Sequence, residues 1–232
     1  METELTRISF QRKLEDLRQR LLETAGIAEQ TIRLALEAHR GDLSACARVR
    51  RNEEIINRCE REIDQMALDI LAMEQPMAVD LRFILAAIKI NGDLERVGDQ
   101  SMAIALLAEE LALDPAQSFP VDIPRMAELS MAMVRKALEA LAGRDAELAA
   151  SVLAMDDSVD ELNRKAKKTL LDCIAQRPDA AHSAVNLLFI SRSLERIADH
   201  ATNMAEDVIF WVRGSDVRHG ALQSSIPISP AL

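Results

Sequence analysis

The sequence is poor both in residues that build sheets and in residues that break helices. It contains no tyrosine, one tryptophan and five phenylalanines, and seven glycines and seven prolines among 232 residues. Aromatic and β-branched residues favour strands, whereas alanine, leucine, methionine, glutamate, arginine and glutamine favour helix. Because glycine and proline are rare, the chain is expected to form a small number of long helices. The composition therefore predicts an all-α fold.

Long hydrophobic runs and paired cysteines are also missing. The longest apolar stretch, 102–113, is interrupted by Glu109 and Glu110, so we expect no membrane-spanning segment. The first residues are charged and have no apolar core, so no signal peptide is predicted. The three cysteines are too far apart for a disulfide framework or a zinc site, and we interpret them as small buried side chains in a reducing cytoplasm: Cys46, Cys59 and Cys173.

An excess of positive charge is absent as well. The net charge is −10, and short basic runs, such as 48–51, lie among acidic residues. A protein that contacts nucleic acid through its phosphates normally has a basic face, so we expect no nucleic-acid binding. The four histidines are scattered, and there is no glycine-rich phosphate loop. Nothing in the sequence predicts an enzyme.

Turn-forming residues divide the chain into six predicted helices. Gly41, Pro76, Gly143, Pro178 and Gly214 each lie at a predicted helix end, and a long loop is expected over 114–124. This spacing predicts one three-helix unit over residues 1–113 and a second over 120–213. The glycine-, serine- and proline-containing segment 214–232 is expected to be a flexible tail.

The two predicted units share a repeated motif. The segment Leu94–Asp99 recurs almost unchanged as Leu194–Asp199, 100 positions later. The flanking features recur in the same order: Pro76 with Pro178, and the N-cap candidates Asp42 with Asp145. Each unit is thus one copy of the same three-helix structure. We predict two tandem three-helix bundles.

The sixth predicted helix has an apolar stripe and an acidic face. The stripe steps by threes and fours and is expected to be core: Ile190, Leu194, Ile197, Ala201, Met204, Val208 and Val212. At 100° per residue, four oxygen-bearing side chains fall within one quadrant away from it, with His200 at their flank: Glu195, Asp199, Asn203 and Glu206.

The fifth predicted helix carries Asp156 and Asp160, one turn apart. If this face adjoins the acidic face of the sixth helix, carboxylates from two helices can share a cation. Carboxylate and amide oxygens are hard ligands, suited to magnesium, manganese, calcium or iron and poor for zinc or copper. Exposed ion pairs with Arg192 and Arg196 are the alternative interpretation of the same acidic residues.

The first copy has a weaker form of this pattern. Glu95 and Asp99 match Glu195 and Asp199, but Ala103 and Leu106 replace Asn203 and Glu206, and Gln100 replaces His200. On the second predicted helix, Glu53 and Asn57 match the spacing of Asp156 and Asp160 with one carboxylate fewer. We therefore expect a poorer metal site there, or none.

The doubled motif resembles the PhoU family of bacterial phosphate-signalling proteins. The resemblance covers about residues 10–219 and is most specific at 195–206, with support from 78–83 and 186–192. It implies two tandem three-helix bundles, a cytoplasmic location and a homodimer. It also implies two partners, the ATPase of the phosphate ABC transporter and a sensor histidine kinase that is held in its repressing mode when phosphate is plentiful.

The resemblance further implies binding of iron, manganese or magnesium by acidic pairs spaced four residues apart. In this sequence the matching pairs are Glu195 with Asp199, Asp156 with Asp160, and Glu95 with Asp99. Two alternative functions remain at this stage. One is a helical scaffold or metal-binding protein unrelated to phosphate. The other is a di-iron oxidase, which would need Glu-x-x-His pairs aimed into a helical core, and the sequence has none.

Overall fold

The computed structural model describes residues 2–113, 118–215 and 217, with side chains from residue 8 onward. All elements in this part of the chain are helical: α1 (Glu2–His39), α2 (Ser44–Glu74), α3 (Ala78–Leu111), α4 (Ile123–Gly143), α5 (Ala146–Leu153), α6 (Asp156–Gln176), a single 3₁₀ turn (Pro178–Ala180) and α7 (Ala181–Arg213). The first three helices pack on one another, and α4–α7 form the second bundle. The predicted all-α fold of two three-helix bundles is confirmed.

The residues that end the helices do so through backbone conformation and capping. Gln75, Arg144 and Gly214 adopt left-handed conformations, with φ of 43°, 54° and 72°, directly after α2, α4 and α7. The carboxylate of Asp145 accepts hydrogen bonds from the backbone N–H groups of Glu147 and Leu148, which satisfies donors at the start of α5. Asp145 is therefore the N-cap that the sequence predicted.

The fifth predicted helix is not continuous. It is divided into α5 and α6 by a turn at Ala154 and Met155, although neither residue is glycine or proline. The residues that follow, Asp156, Asp157 and Ser158, are favoured in the first turn of a helix and compete poorly in its interior. The break therefore starts a new helix at Asp156.

The predicted apolar stripes form the core, with corrections at their ends. Along α7 the stripe is buried from Ile190 to Val208, but Val212 is 38% exposed and Trp211 beside it is buried. Cys46 and Cys59 are buried as expected, whereas Cys173 is partly exposed. Stripes drift at helix ends because 3.6 residues per turn do not keep one face in strict register.

The two repeats match in burial as well as in sequence. Residues of α2 correspond to residues of α5 and α6 that lie 103 positions later, and this offset continues across the break after α5. Buried side chains occupy both members of each pair: Val49 with Val152, Ile56 with Val159, Ile63 with Ala166, and Ala67 with Leu170. The break thus leaves the core register of the repeat intact.

The third helices of the two repeats, α3 and α7, form the most extensive helix–helix contact in the described structure. They run antiparallel, since Lys89 bonds to Asp207 at 2.9 Å and Asp93 bonds to His200 at 2.8 Å. Residues 118–122 lead directly into α4. No helix among the described residues is long and apolar enough to cross a membrane.

Gly98 on α3 lies close to Ile56 on α2, and the second repeat has a different pair of residues at these two positions. A Cβ atom at Gly98 would lie 3.1 Å from the Cδ1 atom of Ile56. The equivalent positions in the second repeat hold Ala198 and Val159, and both are buried. Valine lacks the Cδ1 atom, so the extra methyl of alanine is matched by the smaller side chain opposite.

A double-mutant cycle is expected to show this compensation. In an Ile56→Val background, Gly98→Ala should raise the free energy of unfolding by about 1 kcal/mol, because alanine favours helix over glycine by that amount. In the wild-type background the contact with Ile56 should cancel most of this gain. Urea unfolding of wild type, the two single variants and the double variant measures the coupling energy between positions 56 and 98. Purely additive effects would show that the two side chains do not compensate for each other.

Candidate metal centre

Three carboxylates from two helices come together in the second repeat. Asp160 of α6 and Glu195 and Asp199 of α7 each place one oxygen within 4.8 Å of the others. Asp160 and Glu195 are partly buried in the seam between the helices, and Asp199 is exposed. The acidic faces of α6 and α7 therefore adjoin, which was the condition for a cation site shared by the two helices.

Asp156 extends the cluster by one turn of α6. Its carboxylate accepts a hydrogen bond of 3.2 Å from the hydroxyl of Thr202 on α7. Two turns further along α6, the side-chain oxygen of Asn163 accepts a hydrogen bond of 3.0 Å from the Ser191 hydroxyl. These bonds hold the two helices in the register that aligns the carboxylates. Spacing alone did not single out Thr202 or Ser191, because neither follows the acidic pattern.

The cluster carries more negative charge than its surroundings neutralise. Partial burial, followed by the charges of Asp199 and Asp160, raises the pKa of Glu195, although Arg192 and Arg196 oppose the rise. Asp199 is exposed as a whole residue, but partial desolvation of its carboxyl, followed by the charges of Asp156 and Asp160, likewise raises its pKa. Burial and Asp160 raise the pKa of Asp156. A divalent cation among these oxygens would relieve the repulsion.

The raised pKa values predict how metal-free protein responds to pH. A carboxyl whose pKa is higher in the folded state binds its proton more tightly there, so stability rises as pH falls from neutral toward the ordinary carboxyl pKa of about 4. Asp199→Asn removes part of the repulsion, so in chelator at pH 7 the variant should be more stable than wild type. This difference should shrink as the pH is lowered to 5. Thermal unfolding measures it, and a difference that is independent of pH would contradict the prediction.

No comparable cluster occurs among the described residues of the first repeat. Arg96 forms ion pairs of 3.3 Å with both Glu95 and Asp99, whereas its counterpart Arg196 forms no ion pair among the described residues. Burial, then the charge of Asp99, raises the pKa of Glu95. On α2, the amide of Asn57 donates to Glu53. A guanidinium thus already neutralises the acids that a cation would need.

Asn203 and Glu206 do not join the carboxylates. Both line a cleft between α2, α3 and α7 instead, where the Asn203 amide donates to Asp93 at 3.3 Å. His200 also contacts Asp93, at 2.8 Å. The sequence grouped these residues by their shared helix face, but Asp93 lies more than 100 positions away in the other repeat, and helical spacing carries no information about such a partner.

Comparison with known proteins agrees with the doubled architecture. The family model described as the PhoU domain matches this chain twice, at residues 21–108 and 123–208. The chain belongs to the PhoU family. Phosphate-specific transport system accessory protein PhoU homologs from Pseudomonas aeruginosa and Caulobacter vibrioides are similar to it. They are 39% and 34% identical over 212 and 219 residues, covering 90% and 93% of this chain and 88% and 94% of the relatives.

Solved PhoU structures share the fold. The crystal structure of PhoU from Pseudomonas aeruginosa matches with a TM-score of 0.85 and 37% identity, covering 89% of this chain and all of that one. The phosphate transport system regulatory protein PhoU from Streptococcus pneumoniae matches with a TM-score of 0.79 and 26% identity, covering 90% and 99%. The names of these PhoU proteins describe accessory and regulatory proteins, not enzymes.

Proposed function

We propose that this chain is an accessory regulator of phosphate uptake that acts in the cytoplasm beside a phosphate-specific transporter. When phosphate is plentiful, it restrains uptake and helps hold a sensor histidine kinase in its repressing mode. The match that carries this proposal spans about nine-tenths of both this chain and relatives named as accessory proteins of phosphate transport. It therefore covers both repeats and not one shared bundle.

An adaptor role suits the architecture. The chain is a pair of bundles whose cores are filled by side chains. Its long helices expose continuous faces on which other proteins can dock. The relevant partners are the ATPase of the transporter and the sensor kinase, and a homodimer is the oligomeric state that we expect. All three remain predictions.

The second repeat is proposed to bind one or more hard cations through Asp156, Asp160, Glu195 and Asp199. The donor set fits iron, manganese or magnesium, because all its ligands are carboxylate oxygens and none is a thiolate. The cation would supply a positive charge that links α6 to α7. The chain's own contribution is to hold the carboxylates together through the Thr202–Asp156 and Ser191–Asn163 hydrogen bonds.

Deletion of the gene tests the regulatory role. In phosphate-rich medium, the deletion strain should take up phosphate faster and express phosphate-starvation genes several-fold above wild type. A plasmid copy of the gene should reverse both effects, whereas an empty plasmid should not. Uptake of radioactive phosphate and a reporter of starvation-induced transcription measure these two outputs. If both are unchanged in rich and in starved cells, the proposal is wrong.

A further inference from the structure

A second cleft lies between α6 and α7, next to the carboxylate cluster but extending away from it. It has a volume of about 440 Å³, and six residues line it: Asn163, Lys167, Leu188, Phe189, Arg192 and Glu195. Phe189 is 48% exposed, and Leu171, one turn beyond Lys167 on α6, is 49% exposed. The cleft thus combines an open aromatic and aliphatic strip with a cation on each of its two helices.

The first repeat has the equivalent cleft with the opposite charge. Applying the offsets of 103 on α6 and 100 on α7, the positions of Asn163, Phe189, Arg192 and Glu195 correspond to residues that all line the cleft between α2, α3 and α7: Glu60, Lys89, Gly92 and Glu95. Lys167 corresponds to Asp64. The acids Glu60 and Asp64 of the first repeat are thus replaced by Asn163 and Lys167 in the second. Gly92 is replaced by Arg192, and Lys89 by Phe189.

The cations of the second cleft have no ion-pair partners among the described residues. Neighbouring basic residues of α6, Arg164 and Lys165, both pair with Glu161, whereas Lys167 and Arg192 pair with nothing. Arg192 offsets part of the charge of Glu195 but does not form an ion pair with it. In a chain of net charge −10, unpaired cations beside an exposed phenylalanine contribute little to folding. They are available to bind a partner.

We propose that this cleft, lined by Lys167, Phe189 and Arg192 and continued by the exposed Leu171 next to it, docks an acidic amphipathic helix of a partner protein. A helix laid between α6 and α7 would place its apolar residues on Phe189 and Leu171 and its carboxylates on Lys167 and Arg192. A second copy of this chain is a poor occupant, because the oppositely charged counterpart is itself a cleft and two concave surfaces do not seat in each other. This inference does not depend on the phosphate-related function.

Photo-cross-linking from the cleft tests the proposal in living cells. The full chain carries Phe189→p-benzoylphenylalanine, and after irradiation the cross-linked segment is mapped by mass spectrometry. We expect a protein segment with net negative charge and apolar residues spaced three and four apart. A cross-link to a basic segment, to lipid or to another copy of this chain would overturn the proposal, and so would the absence of any product.

Charge reversal distinguishes docking in the cleft from chance proximity. Adding Lys167→Glu and Arg192→Glu should lower the yield of the cross-link by about tenfold, since both electrostatic contacts become repulsive. Lys167→Glu alone leaves Arg192 and the carboxylates unchanged and should give an intermediate loss. The matched control is Arg58→Glu with Arg61→Glu, which makes the same charge change at exposed α2 residues that line neither cleft. Equal yields in the two double variants would contradict the assignment.

Discussion

Asp199→Ala is expected to lower the affinity of the second repeat for divalent cations by about 100-fold. The substitution removes one of three carboxylates whose oxygens lie within 4.8 Å of one another, and loss of even an indirect supporting group at a metal site costs 10- to 100-fold. Elemental analysis of protein purified without a metal-binding tag, followed by titration with manganese and iron, measures the change.

The duplication supplies the control for this experiment. Asp99 occupies the equivalent position in the first repeat but is ion-paired with Arg96, so Asp99→Ala should leave the metal content nearly unchanged. Asp160→Asn copies the residue found at the equivalent position 57 and should weaken binding as well. If wild type, Asp199→Ala and Asp99→Ala contain equal metal, the proposed site is wrong, and the regulatory proposal is unaffected.

The fold was predictable because its determinants are local and repeated. Helix ends were marked by residues whose backbone chemistry ends helices, as at Asp145 and Gly214, and the apolar stripe of α7 was read directly from its period. The repeat of Leu94–Asp99 then fixed two bundles. The break before Asp156 was missed, because no glycine or proline marks it and the signal is only a preference of acidic residues for helix starts.

The sequence predicted the carboxylate cluster only on the condition that two helix faces adjoin. Spacing placed Asp156 with Asp160 and Glu195 with Asp199 on one face each, but it did not establish that these faces meet. That depends on how α6 packs on α7, which the tertiary structure provides. Asn203 shows the opposite outcome, since its helix face was correctly assigned and yet its nearest partner, Asp93, comes from the other repeat.

The contacts between repeats depend on individual side chains that a periodic pattern does not identify. The stripe of α7 predicted Val212 as core, but the chain's one tryptophan, Trp211, is the residue that is buried there. Near the end of a long helix, small deviations in twist decide which of two neighbours faces the partner. In this case the partner is the start of α3, so the choice determines how the two bundles are joined.

Trp211→Ala is therefore expected to destabilise the protein by about 3–5 kcal/mol. The indole is 3% exposed and packs against Phe83 of α3 with 4.8 Å between ring centroids. The guanidinium of Arg144 lies 5.3 Å from the same ring. The carbonyl of Trp211 accepts a hydrogen bond of 3.3 Å from Arg82, which ties the end of α7 to the first repeat.

Val212→Ala is the matched control, because Val212 is adjacent and 38% exposed, and it should cost less than about 1 kcal/mol. Urea unfolding followed by circular dichroism measures both variants without relying on the lost tryptophan. If the two substitutions cost the same, Trp211 does not join the repeats. If Trp211→Ala has the larger cost, the buried indole, and not the end of α7 in general, stabilises the contact between α3 and α7.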